Sequence, residues 1–330
     1  MSLKILKAGI LDCIQDLGRY GYQHLGVNPG GAMDKYAAAI ANILVCNKPN
    51  EAIIEMHFPA PMILFEKPAL IALSGADFSA TINGEPIPIN QPILAPANST
   101  IQFQSLKNKN RCYLAIHGGL GVTKWLNSYS TNLKAEAGGF SGRKLNKEDA
   151  IPYKSLSSEK ILGLKVFPWK VNEDYGLNNR DKILVLAGTE WDWLIETSQE
   201  KFTKNFFYIS YNSDRMGYRL ASEPLHAKNK EELVSSAVNF GTIQLLPDGQ
   251  LIVLMADHQT TGGYPRIGNI ITAHLPVLAQ MKAGDNFHFE FTTHKIAEEL
   301  IVKQSQHLHQ LQIACKLRLE NFIHEMNLYE

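Results

Sequence analysis

The chain has little cysteine, no excess of charge of either sign and no long apolar run, and each shortage removes a class of function. Four cysteines stand among 330 residues, at Cys13, Cys46, Cys112 and Cys315. They form no C-x-x-C pair, which excludes the spacing of a zinc ribbon or a thioredoxin-like redox motif. Scattered thiols of this kind suit a reducing cytoplasm. Lys plus Arg and Asp plus Glu number 32 each, so the formal charge is zero. That balance offers no electrostatic footprint for nucleic acid or for an acidic membrane surface. No segment approaches the roughly 20 apolar residues of a membrane helix. The opening Met-Ser-Leu-Lys-Ile-Leu-Lys mixes lysines into apolar residues instead of placing a basic stub before a leader core. The expectation is a cytoplasmic protein that binds neither nucleic acid nor membrane.

Several catalytic signatures are missing too. There is no G-x-x-x-x-G-K-[ST] and no strand-to-helix G-x-G-x-x-G, so a nucleotide would be held by another route or by a partner. Gly139-Phe140-Ser141-Gly142 falls short of a hydrolase elbow, because Arg143 stands where the last glycine belongs. Gln280-Met281-Lys282-Ala283 shares only its Met-Lys with a biotin-carrying sequence and reads as a surface turn before Gly284. Biotin is not expected to be attached to this chain. The histidines keep no metal-ligand spacing. His307 and His309, two apart on a helical stretch, face different sides and read as solvent-facing. No metal site is expected.

What is present is an ordinary globular composition, 45% hydrophobic and 19% charged. The length suggests two lobes with sizeable cores. A helix is expected at 33–46, alanine-rich, behind the Pro29–Gly31 turn, with Asp34 placed to cap free N–H groups. Short apolar runs then alternate with turn residues: Pro61–Phe65, Ala69–Leu73, Ala80–Ile82, an Asn83-Gly84 hairpin turn, Ile87–Ile89 and Tyr113–Ile116. Residues 123–150 read as long loops. Further strands are expected at Lys182–Leu186, Phe206–Ser210, Thr242–Leu246, Leu251–Met255 and Asn286–Phe291, with short helices near Trp191–Ser198 and Gly268–Gln280. The tail from Ile296 to about Asn327 has helical spacing, with Leu300, Leu308, Leu311, Phe322, Ile323 and Met326 as packing positions. The fold class is mostly β with a few helices, built as antiparallel β-barrel lobes. The division read from this is a β-rich lobe over 1–160, a β-barrel lobe over 161–295 and a helical tail over 296–330.

Three polar segments carry the chemistry. The first is Gln15-Asp16-Leu17-Gly18-Arg19, followed by Gly30-Gly31-Ala32-Met33-Asp34. The second is Ser213-Asp214-Arg215-Met216-Gly217-Tyr218-Arg219-Leu220. The third is Ala256-Asp257-His258-Gln259-Thr260-Thr261-Gly262-Gly263-Tyr264-Pro265. Glycines let backbone approach a ligand, and arginine presents a planar fork to carboxylate or phosphate. Taken singly, each segment also reads as a turn with local side-chain caps. The expectation is that the three converge on one polar cleft for a small anionic or amide ligand.

Together the segments resemble the biotin-dependent carboxyltransferase-like family, also called allophanate hydrolase subunit 2-like. The resemblance is carried by Ile14–Arg19, Gly31–Asp34, Ala41-Asn42, Leu73-Ser74-Gly75-Ala76-Asp77, Gly138-Gly139, Ser213–Leu220, Gly241-Thr242-Ile243-Gln244 and Ala256–Pro265, in the family's order over about residues 3–295. It implies a cyclophilin-like barrel in the second lobe. It also implies a bacterial enzyme active only in an assembly: an ATP-dependent hydrolase opening the lactam 5-oxoproline to glutamate, with 5-oxoprolinase subunits A and B as partners. ATP with Mg²⁺ would sit at a subunit junction, and room is left for self-association. Two other settings of the family stand beside this one. One is the carboxyltransferase component of a urea carboxylase or allophanate hydrolase system. The other is a regulator that binds a kinase-inhibitor partner.

A lactam is a poor electrophile because resonance stabilises the amide. Phosphorylating its carbonyl oxygen makes that oxygen a leaving group and lets water attack. Cations, a carboxylate that steers water, and donors facing the oxyanion are the needed kit. Asp16, Arg19, Asp77, Arg215, Arg219 and Asp257 are the catalytic candidates. Gln15, Asp34, Ser74, Tyr218, Gln259, Thr260, Thr261, Gly262, Gly263 and Tyr264 are the candidates for binding a small-molecule substrate. Carboxyl transfer would draw on the same groups.

Overall fold

Alternation of covered and solvent-facing residues builds most strands here: in Ser2–Lys7 the side chains of Leu3 and Ile5 are fully buried while Lys4 and Lys7 face outward. The computed structural model describes residues 2–154, 163–172, 181–228 and 233–325, apart from the side chains of residues 320 and 323–325. Contacts divide the chain into two units. One comprises Met1–Arg19, Asp34–Glu173 and Ser305–Glu330, the other Tyr20–Met33 and Asp174–Gln304.

The first unit holds two six-stranded sheets around one core. One sheet runs Ala150–Pro152, Ser2–Lys7, Met62–Phe65, Ser99–Phe103, Ala80–Ile82, Glu85–Pro86. The other runs Lys165–Val166, Pro92–Ala95, Ala69–Asp77, Asn108–Ile116, Ile53–His57, Cys13–Gln15. Ladders in both are antiparallel. Ala69–Asp77 and Asn108–Ile116 are the central strands of the second sheet, and they support the helix Lys35–Leu44. Ala37, Ala38, Ala39 and Ala41 are all buried on that helix, small side chains that permit close approach. Asp34 is its N-cap, and the carboxylate accepts the Ala37 N–H at 2.9 Å.

The expected helix at 33–46 is therefore present, starting one residue after its cap. The Asn83-Gly84 hairpin is present as well, although its second strand is Glu85–Pro86 and not Ile87–Ile89. The first lobe also differs from the expected barrel: its two sheets share a core without closing into a ring.

The second unit is the barrel. Its closed order is Lys182–Ala187, Arg266–Ile270, Thr242–Leu245, Leu251–Leu254, Gly217–Ala221, Phe207–Ile209, Asn286–Phe291. The last strand closes against the first in parallel, and the other pairs are antiparallel. Phe202, Phe207, Phe287 and Phe289 fill the interior, with Phe202 and Phe289 stacked at 4.7 Å between centroids. Phe202 comes from the helix Glu196–Lys204, which follows a single 3-10 turn at Trp191–Trp193.

The stretch Gly268–Gln280 is not one helix. Arg266–Ile270 is a barrel strand, and helix is confined to Leu275–Ala279 after a 3-10 turn. Gly268 suits that strand: a Cβ there would lie 3.2 Å from the Ile243 side chain of the neighbouring strand, so glycine leaves that side chain its room.

The tail forms the helix His294–Glu325, which contributes residues to both units. Within the first unit it packs beside the edge strand Lys165–Val166, whose two residues stay exposed. Phe322 packs on Phe167 at 4.3 Å between centroids, and Lys165 lies 4.2 Å over the Phe322 ring. Leu300, Leu308, Leu311 and Phe322 are half-buried, while Cys315 and Leu319 are the most covered apolar positions. Ile323 and Met326 lie outside the described side chains. His307 is not solvent-facing as expected: it stacks on Tyr36 and bonds the phenol through Nδ1. Among the described residues, no helix is long and apolar enough to cross a membrane.

Candidate functional site

An antiparallel ladder brings Arg215 and Asp257 together. Gly217–Ala221 pairs with Leu251–Leu254 in the register Gly217↔Leu254. Beyond the strands the pairing continues, with Met255 N–H on the Met216 carbonyl at 3.0 Å and Asp257 N–H on the Arg215 carbonyl at 2.8 Å. Asp214 shapes the turn before the strand. Its Oδ1 accepts N–H groups from Met216 at 2.8 Å and Gly217 at 3.1 Å, an Asx turn that fixes Arg215 at its tip.

Arg215 then makes a planar fork. Nε donates to Asp257 Oδ2 at 2.8 Å and a terminal nitrogen donates to Oδ1 at 3.0 Å. The same terminal nitrogen donates to the Gly31 carbonyl at 2.7 Å. The two side chains are only 6% and 15% exposed, so each charge is matched inside the protein and not by water. Asp257 is thus a partner of Arg215 before it is anything else.

The neighbouring candidates follow strand alternation. Tyr218 is buried in the barrel core, and Arg219 projects outward beside it. From Gln259 to Tyr264 the chain runs at the surface. Gln259, Thr261 and Tyr264 are exposed, and Thr260, Gly262 and Gly263 are half-buried. Thr261–Gly262 pairs with Ser236–Ala237 in a ribbon of two residue pairs. Beneath it lies Gln244, 1% exposed, whose Nε2 reaches the Tyr264 carbonyl at 3.5 Å.

In the first unit, Asp16 is an anchor. Its Oδ1 accepts the Gly18 N–H at 2.7 Å, the Ser128 hydroxyl at 2.7 Å and the Ser130 hydroxyl, and Oδ2 accepts the Tyr129 N–H at 2.6 Å. Arg19, 1% exposed, lies over the Trp125 ring at 4.5 Å and donates to the Ser130 carbonyl. Gln15 is fully buried, with Nε2 at 3.5 Å from the Thr131 carbonyl. The stretch 15–19 is therefore bound to the loop 128–131.

A second polar cluster crosses the sheet. Glu55, Tyr113 and Ser74 stand opposite one another on three adjacent strands. The Tyr113 hydroxyl donates to Glu55 at 2.9 Å and accepts the Asp34 backbone N–H at 2.8 Å. Burial, with the Glu55 and Asp34 carboxylates, pushes the Tyr113 phenol well above its ordinary pKa, so it stays a donor. Asp77 belongs to neither cluster. It caps the Ser79 N–H at 2.8 Å and pairs with Lys107 at 3.3 Å at the end of its strand.

Most of the chain matches a known family. The model of the carboxyltransferase domain, subdomains A and B, matches residues 25–291. The chain belongs to the carboxyltransferase-domain family. Within it, the chain is 35% identical to the 5-oxoprolinase C subunit of Haemophilus influenzae, over 90% of this chain and 94% of that one. It is 34% identical to the 5-oxoprolinase C subunit of Escherichia coli, over 97% of this chain and the whole of that one. It is also similar to urea amidolyase of Saccharomyces cerevisiae, 29% identical over 92% of this chain but only 17% of the larger protein. The solved Kluyveromyces lactis urea amidolyase superposes with a TM-score of 0.83 at 25% identity, over 94% of this chain. This chain spans about a fifth of that molecule, 20% of its length.

The three polar segments of the sequence are divided between the two units. The stretches 213–220 and 256–265 lie in the barrel unit, and 15–19 lies in the other. Sequence reasoning did not single out Glu55, Tyr113, Ser128 or Ser130 as partners. The one usable signal was polarity out of place: Glu55 interrupts the apolar Ile53–Met56, and Ser128-Tyr129-Ser130-Thr131 is a hydroxyl run inside a loop.

Proposed function

We propose that this carboxyltransferase-domain chain acts as the C subunit of an ATP-dependent 5-oxoprolinase, with the A and B subunits as partners, in the opening of 5-oxoproline to glutamate. The observation that carries the reading is the similarity to two 5-oxoprolinase C subunits at 34–35% identity, over 90% and 97% of this chain and 94% and 100% of theirs. In this reading the exposed amides, hydroxyls and backbone N–H groups of Gln259–Tyr264 meet the substrate. Tyr218, Asp34, Ser74 and Gln15 shape the surrounding structure. Arg215 holds Asp257 in one orientation, and Asp16 with Arg19 holds the 128–131 loop. Asp77 and Arg219 remain candidates through their charge.

ATP does not fit Arg19 or Arg215. Arg215 is neutralised by Asp257, and Arg19 is engaged by the Ser130 carbonyl and the Trp125 ring. A triphosphate needs unmatched positive charge or a cradle of N–H groups. We therefore assign the nucleotide and its Mg²⁺ to the partner proteins and route no step through Arg19 or Arg215.

The test is reconstitution. The purified chain, mixed with candidate A and B subunits, should give ADP and glutamate only when 5-oxoproline and all three proteins are present. Turnover without this chain would end the reading. A second reading, carboxyl transfer, is favoured by the similarity to the urea amidolyases. It predicts carboxyl transfer from carboxybiotin supplied in trans, with no dependence on 5-oxoproline.

A further inference from the structure

Gln244 is a primary amide buried on a barrel strand, and its two polar atoms are unequally used. Nε2 sits at 3.5 Å from the Tyr264 carbonyl, the outer limit of a hydrogen bond. No donor among the described residues meets Oε1. A buried carbonyl left unpaired is costly in a native fold, so an atom of this kind points to a partner. The cover above it is thin. Gly262 lies so close that a Cβ would fall 2.5 Å from Nε2, which makes glycine the residue that lets backbone rest on this amide. The cover is the ribbon of two residue pairs, Ser236–Ala237 with Thr261–Gly262. A ribbon this short opens locally at low cost. Its outer side is the exposed segment Gln259–Tyr264.

We propose that the Gln244 carboxamide recognises a ligand bearing a cis amide, such as a lactam or a cyclic ureide. In such a ring the N–H and C=O lie on the same side. The ligand N–H donates to Oε1 while Nε2–H donates to the ligand carbonyl, a paired ring of two hydrogen bonds. The long bond to Tyr264 is the one given up, and the Thr261–Tyr264 segment shifts to admit the ring. The inference rests on the reading of Gln259–Tyr264 as substrate-facing. It adds the group that selects the N–H.

The full chain is titrated with 2-pyrrolidone, imidazolidin-2-one and N-methyl-2-pyrrolidone, with binding followed by saturation-transfer NMR. Molecules this small are expected in the range of about millimolar Kd. The two N–H compounds should bind at least about tenfold more tightly than the N-methyl compound, which cannot donate. Gln244→Leu should abolish that preference while leaving the melting temperature within a few degrees. If the variant does not fold, amide exchange on the unmodified protein replaces it. Protection at residues 236–237 and 261–263 should then change with 2-pyrrolidone and not with its N-methyl analogue. Equal binding of all three compounds, binding of none, a preference kept by Gln244→Leu, or exchange at those amides that responds alike to both pyrrolidones would overturn the proposal. Discrimination without 5-oxoproline turnover in the reconstituted system leaves the inference standing and removes the function. Turnover without discrimination does the reverse.

Discussion

Arg215 grips Asp257 through two parallel hydrogen bonds, 2.8 and 3.0 Å long, and anchors a third on the Gly31 carbonyl. Forty-two positions apart in sequence, the two side chains form one planar unit. Removing either partner leaves the other charge poorly hydrated.

Arg215→Ala and Asp257→Ala should therefore each cost about 2–4 kcal/mol of stability, and the double variant should cost clearly less than the sum. Urea denaturation of the four proteins closes the cycle. Turnover in the reconstituted assembly should fall in both single variants. Additive stability losses would show that the pair is not coupled.

Asp16 collects four donors on one carboxylate. Asp16→Ala orphans the Gly18 and Tyr129 N–H groups and two serine hydroxyls, and should cost roughly 3 kcal/mol, against about 1 kcal/mol for Ser128→Ala. Hydrogen exchange should rise across 128–131 in Asp16→Ala. Unchanged protection there would mean the loop is held by something else.

Asp12 is fully buried, and burial pushes its pKa from 3.8 to about 7 against the pull of the Gly9 and His57 N–H groups and Lys144. The folded chain keeps this proton longer than the unfolded chain does. Its contribution to stability is full below pH 3.8 and is lost as pH rises through about 7. The swing is about 4 kcal/mol. Asp12→Asn keeps an acceptor for the Gly9 N–H, 2.7 Å from Oδ2, without titrating. The variant should gain on the parent steadily from pH 4 to pH 8 in urea melts, a window set by the 3.8 and 7 limits. A difference independent of pH would refute this.

His274 works in the opposite sense. Burial lowers its pKa from 6.5 to about 4, and Nδ1 accepts the Leu184 N–H at 3.3 Å. Here stability is full above pH 6.5 and is lost as pH falls through about 4, by roughly 3 kcal/mol. His274→Asn should flatten the acid limb of the stability curve, because the amide can accept the same bond without charging. An acid limb as steep as the parent's would place the effect elsewhere.

Much of the fold was legible because its causes are local. Ala80–Ile82 and Asn286–Phe291 are strands with the expected bounds. Asp34 caps its helix because a short acid before an alanine run has few better options. Gly268–Gln280 misled for the same reason: its residues are compatible with helix, and only pairing with two neighbouring strands, Lys182–Ala187 and Thr242–Leu245, makes Arg266–Ile270 extended.

By itself the sequence determined the family, the β-rich class, the caps and turns, and the polar segments that are the site candidates. Those are properties of short windows, set by side-chain period, glycine freedom and neighbouring hydrogen-bond donors. Only the tertiary structure decided that Arg215 is taken up by Asp257, that Asp16 is an anchor for a loop 112 positions away, and that Gln244 lies buried under Gly262. Ladder register and burial decide those pairings. Neither leaves a mark in any one window of the chain, because each depends on which distant strand lies alongside.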